Sequence, residues 1–261
     1  MVRAGYRDLL FGAQAWRIWV TLAWNDIGRR YRRSKIGQFW LTLSMGVTVL
    51  GLGAVYSTLF NIDISAYLPY VAVTFVAWAF IAATITESCT AFIEAEGIIK
   101  HVNLPRSTHL MRVLTRNLSA AAHNVMVVPV VFLITGHSVN ANVLWILLGL
   151  PLLVLNLLWM GCVLAIVCAR YRDVPQIVAS VVQILFFVTP VMFRPEQLGA
   201  RANWAVSWNP FANLLEVVRD PFLGQPPSAW ALAICTIMLV VGWGVTIPFI
   251  GRYAPRVPYW L

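Results

Sequence analysis

Few residues in this chain could do chemistry, and their spacing excludes most of it. The only lysines, Lys35 and Lys100, follow Ser34 and Ile99, so the glycine-rich loop ending in Lys-Ser or Lys-Thr that cradles nucleotide phosphates is absent. His101, His109, His123 and His137 form no HExxH pair, and there is no GxSxG elbow, which argues against zinc-peptidase and serine-hydrolase activity. Cys89, Cys162, Cys168 and Cys235 all lie in apolar stretches, where thiols behave as small hydrophobes, so no disulfide or metal framework is implied. What remains is charge. Arg29, Arg30, Arg32, Arg33 and Lys35 place five cations within seven residues, and the next charged residue is Asp63. A basic cluster directly ahead of an apolar run marks the cytoplasmic flank of a spanning helix.

Composition decides what positions these groups. Hydrophobic residues make up 60% of the 261 positions and charged residues 11%, against about 25% charged in an ordinary soluble domain. Such a chain cannot cover a globular surface, so lipid is its solvent. The net charge of +9 then reads as membrane flanks rather than as a nucleic-acid surface. The first turns interleave charged with apolar residues, unlike a secretory leader, so insertion is expected to use the spans themselves.

Leu9, Ala13, Trp16, Val20, Trp24 and Ile27 recur at helical spacing, with Arg7, Gln14, Arg17, Asn25 and Asp26 mostly off that stripe. This predicts an amphipathic helix lying at the cytoplasmic interface, although the same stripe would serve for packing on a protein. Six apolar stretches follow, near 37–60, 67–92, 110–135, 142–169, 174–193 and 229–250, each about as long as a helix that crosses a bilayer. The expected fold is an all-α integral membrane protein with six transmembrane helices. An N-terminal interfacial helix precedes them, and an outer re-entrant helical segment lies between the fifth and sixth spans. The whole of 1–261 reads as one transmembrane domain: 1–35 the cytoplasmic helix and basic cluster, 36–250 the six-span bundle, 251–261 a cytoplasmic tail.

With both termini inside, 16 of the 19 basic residues fall on cytoplasmic segments, as the positive-inside bias requires. The inner connection from Glu94 to Ser107 leads with Glu94 and Glu96, continues through Ile98 and Ile99, and trails with Lys100, His101 and Arg106. That polarity suits the dipole of a short helix, a docking peg for another protein or a plain surface turn. The outer connection from Arg194 to Ser228 carries Trp204, Trp208, Phe211 and Phe222 between prolines, a pattern for short amphipathic pieces that dip into the outer leaflet. Ionisable residues at membrane depth face a partner or a wet path. Here Glu87 is expected either to tie to Arg112 or Arg116 as a structural ion pair or to line such a path.

Several stretches together resemble one family, the permease subunits of ABC exporters of the ABC-2 polysaccharide, O-antigen and capsule class. DIGRRYRRSKIGQFW is similar to the start of their first span, the peg ending in NLPR to their coupling helix, and ARYRDVPQI (Ala169–Ile177) to the turn before their fifth span. TPVMF (Thr189–Phe193) and WNPFANLLEVVRD (Trp208–Asp220) resemble their Pro-Val and Asn-Pro motifs. Ser44–Val47 stand where many relatives carry Pro-Leu, and Ile36 replaces a Leu.

The resemblance implies a homodimer of permease chains with two separate ATPase chains, which bind the ATP and magnesium, this chain binding no cofactor or metal. It further implies export of a lipid-linked glycan across a bacterial inner membrane through a channel between the two copies. Glu94, Glu96, Ile98, Ile99, Lys100, His101 and Arg106 become the ATPase-docking residues. Tyr31, Phe39 and Trp40 at the inner mouth offer flat faces to sugar rings, sharing one helix face if the helix runs through Ser34, and Arg32 and Arg33 offer charge to a carrier phosphate. The alternative for these aromatics is an ordinary interfacial belt. An ABC permease for a drug or lipid is the nearest competing function. A membrane glycan-processing enzyme would need a carboxylate pair near the interface, and Asp63 stands alone in its loop.

Overall fold

The computed structural model describes residues 1–32, 34–195, 204 and 206–261, and every regular element among them is helical. Two helices, α1 (Val2–Gln14) and α2 (Trp16–Tyr31), precede α3 (Phe39–Phe60) and α4 (Ile64–Glu94). A short α5 (Glu96–His101) leads to α6 (Ser107–Val125), α7 (Val127–Thr135) and α8 (Ile146–Arg170). Then come α9 (Val174–Val188), α10 (Pro210–Phe222), α11 (Ala229–Tyr253) and a last turn, α12 (Val257–Trp260).

The bundle is built around α4. A helix that is apolar on all sides belongs inside a bundle, and α3, α6, α7, α8, α9 and α10 all pack against this one. Asp63 starts it, accepting a bond from the Ser65 amide at 3.1 Å. α8 lies alongside. Its buried Asn156 donates to Leu152 O (2.8 Å) and across to Cys235 O on α11 (3.1 Å), while Trp159 Nε1 donates to it at 3.0 Å. A fully buried amide thereby holds α8 and α11 in one register. α6 and α7 form one interrupted rod. Pro129 has no N–H for Val125 O and its ring crowds that carbonyl, and α6 ends at Val125.

Among the described residues, five helices are long and apolar enough to cross a membrane: Phe39–Phe60, Ile64–Glu94, Ser107–Thr135, Ala141–Arg170 and Ala229–Trp260. The fifth expected span is shorter than its sequence range of 174–193. α9 has 15 residues, about 22 Å of rise against a hydrocarbon core of about 30 Å. Pro190 is the physical reason: the residue before a proline is driven out of the helical region, and Thr189 is extended at φ −90°, ψ 142°. Two buried tyrosines of α4 fix the non-helical stretch beyond it. The Tyr67 hydroxyl donates to Met192 O, and that of Tyr70 lies 2.8 Å from both Pro190 O and Phe193 O.

The N-terminal stretch also differs from the single stripe expected. It breaks at Ala15, where the Trp19 indole donates to Gly12 O at 3.2 Å. Its buried positions are Gly5, Gly12, Ala23 and Ile27, with Trp16 and Trp24 exposed. α1 packs on α11 and α6, and α2 packs on α6. The seat of α1 is close: a Cβ at Gly5 would overlap Ile247 O, and one at Gly251 would overlap Met1 O.

The expected outer segment at 194–228 includes residues 196–203 and 205, which lie outside the described residues. Its later part is α10, started by Asn209, whose side chain accepts from the Phe211 amide at 3.0 Å. Leu214, Leu215 and Val217 are wholly buried, and the helix packs among α4, α8 and α11. The closest approach is at Gly149 of α8, where a Cβ would overlap Val217 O, whereas Gly51 of α3 has nothing within 4 Å. Gly149→Ala is therefore expected to destabilise by about 1–3 kcal/mol through overpacking, lowering the thermal unfolding midpoint in detergent. Gly51→Ala is expected to leave the midpoint unchanged or raise it.

Candidate functional site

Most of the sequence-derived site residues gather at one end of the bundle, where α2, the last turns of α4, α5 and the first half of α6 meet. Asp26 and Arg30 stand four apart on α2, as do Arg112 and Arg116 on α6, so each pair occupies one helix face. The Asp26 carboxylate, with 9% of the side chain exposed, receives Arg112 Nε at 2.5 Å and Nη2 at 2.6 Å. Arg29 Nη2 reaches it at 2.7 Å and Arg116 Nη1 at 3.4 Å. On α4, Glu87 Oε2 accepts from Arg116 Nε (3.1 Å), Arg116 Nη2 (2.9 Å) and Asn117 Nδ2 (2.9 Å). Arg30 Nη1 lies 3.5 Å from Glu87 Oε1, and Glu94 Oε2 is 3.9 Å from Arg116 Nη1. Four guanidinium groups and three carboxylates thus tie three helices into one lattice.

Burial alone would raise the Asp26 pKa. The bidentate Arg112 bond and charge, helped by Arg29 and Arg116, outweigh it and hold the carboxyl below the ordinary range. Glu87 is bonded to Arg116, while Arg112 goes to Asp26. The sequence reading placed Asp26 off the apolar stripe and gave it no role. The signal that could have found it is the matched four-residue spacing of acid and base on α2 against base and base on α6.

α5 begins at the break after α4, at Ala95. Lys100 Nζ is 2.6 Å from Glu96 Oε1 along the helix, and that hydrogen bond with its charge lowers the Glu96 pKa. Glu94 accepts from Thr90 Oγ1 at 2.7 Å, and His101 Nδ1 lies 2.7 Å from Gly97 O. Glu94, Gly97, Lys100, His101 and Val102 are exposed and Ile98 half-buried. Ile99 does not belong with them: at 4% exposure it sits in the core with Ala95, Ala169 and Val257. Two neighbours on a helix point about 100° apart, and here only Ile98 turns outward. Arg106 is half-buried, its Nη1 donating to Leu104 O at 3.2 Å.

The inner-mouth residues are less closely grouped than expected. α2 ends at Tyr31 and α3 begins at Phe39. Between them Gly37 takes φ +63°, its amide bonded to Ser34 Oγ at 3.1 Å. The helix does not run through Ser34, so Tyr31 and Phe39 belong to different helices and share no face. Arg32 is exposed; Arg33 lies outside the described residues. Phe39 and Trp40 are 60% and 56% exposed, with Phe39 edge-on to His123 at 6.2 Å and Thr42 Oγ1 donating to His123 O at 2.9 Å.

A bundle of long apolar helices, braced at one end by an ion lattice and carrying a short helix with an exposed polar side, is the architecture of a multi-pass membrane protein. The comparisons agree: residues 17–223 match the ABC-2 type transporter family, and the chain belongs to it. Two O-antigen export system permease proteins RfbA of Klebsiella pneumoniae are 23% and 22% identical over 212 residues, 78% of this chain and 79% of each relative. The protein of that name from Myxococcus xanthus is 21% identical over 245 residues, covering 89% of this chain and 91% of the relative.

Proposed function

We propose that this chain is the permease subunit of an ATP-driven exporter that moves a lipid-linked polysaccharide, of O-antigen or capsule type, across a bacterial inner membrane. The observation that carries the reading is the family match together with three relatives that share one printed name. In this reading two copies enclose the path, and hydrolysis of magnesium-bound ATP takes place on separate chains. α5 offers them Glu94, Glu96, Ile98, Lys100 and His101. Ile99 and Arg106 act beside the peg rather than in its contact. Phe39 and Trp40, with Tyr31, Arg32 and Arg33, form the inner mouth; the exposure of Phe39 and Trp40, where the basic cluster gives way to α3, supports that role. The lattice of Asp26, Glu87, Arg112 and Arg116 makes α2, α4 and α6 move as one piece when the peg is pushed.

The same reading has six crossings with both ends inside, α9 completing the fifth with the bent stretch to Phe193. α1 and α2 lie at the inner interface, and α10 returns within the outer leaflet. Deleting the reading frame is expected to clear the polysaccharide from the cell surface and make its lipid-linked precursor accumulate inside. Undiminished surface polysaccharide would overturn the function.

Topology has its own test. All four native cysteines are buried, so an impermeant thiol reagent has little background in intact cells. A cysteine introduced at Ser138 is expected to react, and one at Asn103 is not. The reverse pattern would refute the orientation.

A further inference from the structure

We propose that the cavity between α1, the connection 103–106 and the end of α11 binds the phosphate of an anionic phospholipid headgroup. This cavity, about 610 Å³, is lined among others by Arg7, Asp8, Phe11, Arg106, Ile250 and Ala254. Its depth in the membrane follows from its walls. The apolar rod Ser107–Thr135 begins at one side, and the long helix region Ala229–Trp260 nears its end at the other, which sets the site at the level of lipid headgroups.

Charge is what singles it out. Among the described residues Asp8 is the only carboxylate lining it, and that carboxylate is already engaged. Its two oxygens accept the amides of Arg106 (2.8 Å) and Ser107 (3.0 Å), and Ser107 Oγ donates back to Asp8 O at 2.8 Å. Asp8 therefore caps α6, its charge directed at the positive end of that helix. Neither guanidinium is in an ion pair among the described residues. Arg7 lies over the Phe11 ring at 5.7 Å, and Arg106 has the Leu104 carbonyl.

Two arginines facing one cavity, one of them half-buried, match a phosphate that accepts several charge-assisted hydrogen bonds. Burial lowers the Arg106 pKa, with the Asp8 charge opposing it, a state that a bound anion relieves. The rest of the wall decides between a lipid and a free ion. Phe11, Leu104, Ile250, Ala254 and Pro255 give apolar surface to a glycerol backbone and the first methylenes of an acyl chain, which inorganic phosphate has no means to use. The site adjoins the connection between α5 and α6, so an occupied cavity would stiffen the base of the peg.

The test uses the full chain released from detergent containing equal phosphatidylglycerol and phosphatidylcholine, with retained lipid read by native mass spectrometry. Preferential retention of phosphatidylglycerol is expected, falling about tenfold for each guanidinium removed in Arg7→Gln and Arg106→Gln, the loss of one charge-assisted hydrogen bond. Arg7 is exposed, so its variant reads binding without a folding defect. Arg17→Gln, an exposed arginine on α2, is expected to change nothing. Equal retention of both lipids would overturn the proposal. So would an Arg17→Gln loss as large as the others, which would mean diffuse surface charge. Full displacement by millimolar inorganic phosphate would show a free-ion site and would also overturn it.

Discussion

Asp26→Ala is expected to lower the stability of the chain by about 3–5 kcal/mol, the usual result of removing one partner of a buried ion pair. Arg112 would keep its charge with only 12% of its side chain exposed and lose both of its short bonds. Arg112→Met is expected to cost less, because Asp26 retains Arg29 and Arg116. The double variant is expected to be more stable than Asp26→Ala alone, since an apolar side chain then replaces a stranded cation. Thermal and denaturant unfolding in one detergent give the cycle. Strict additivity of the two changes would mean that no coupling exists, and the lattice would have to be abandoned as a brace.

A second large effect is expected at α5. Ile98 is half-buried, and Val102, 48% exposed, follows it on the outer side. Changing both to Asp puts one charge on the face proposed to meet the ATPase and a second just past the end of α5, without touching the core. Export is expected to fall at least about tenfold, as loss of a contact worth about 1.4 kcal/mol would give, with the melting temperature unchanged and the ATPase no longer co-purifying. Intact export and co-purification would place the docking surface elsewhere. Ile99→Asp must be kept separate: a carboxylate set among Ala95, Ala169 and Val257 has no partner and is expected to unfold the chain. Altering Ile98 and Ile99 together would confuse the two effects.

The helical membrane class was readable because it depends on composition and on long apolar runs, which need no knowledge of neighbours. Readings that failed depended on which neighbour a residue meets. Apolar periodicity cannot find Asp26, whose partners on α6 lie more than 80 positions away. Ile98 and Ile99 are equivalent in sequence and opposite in space. Pro190 could have announced the end of α9, but the length of the apolar run to Phe193 outweighed it. Nothing near Tyr67 or Tyr70 hints that their hydroxyls hold backbone more than 115 residues away. The glycine turn at Gly37 separates Tyr31 from Phe39, whose spacing puts them on one face only if a helix runs through Ser34.

The seat of α1 against Ile247 and Gly251 sets an order of events during synthesis. α1 has two partner surfaces, one on α6 and the other, much later in the chain, on α11. At roughly 5–20 residues per second, α6 can meet α1 early, whereas the face that α1 turns to Ile247 and Gly251 waits about ten to fifty seconds for its partner. During that interval the membrane surface is the resting place for that uncovered face, and the docking of α11 on α1 comes late in the assembly of the bundle.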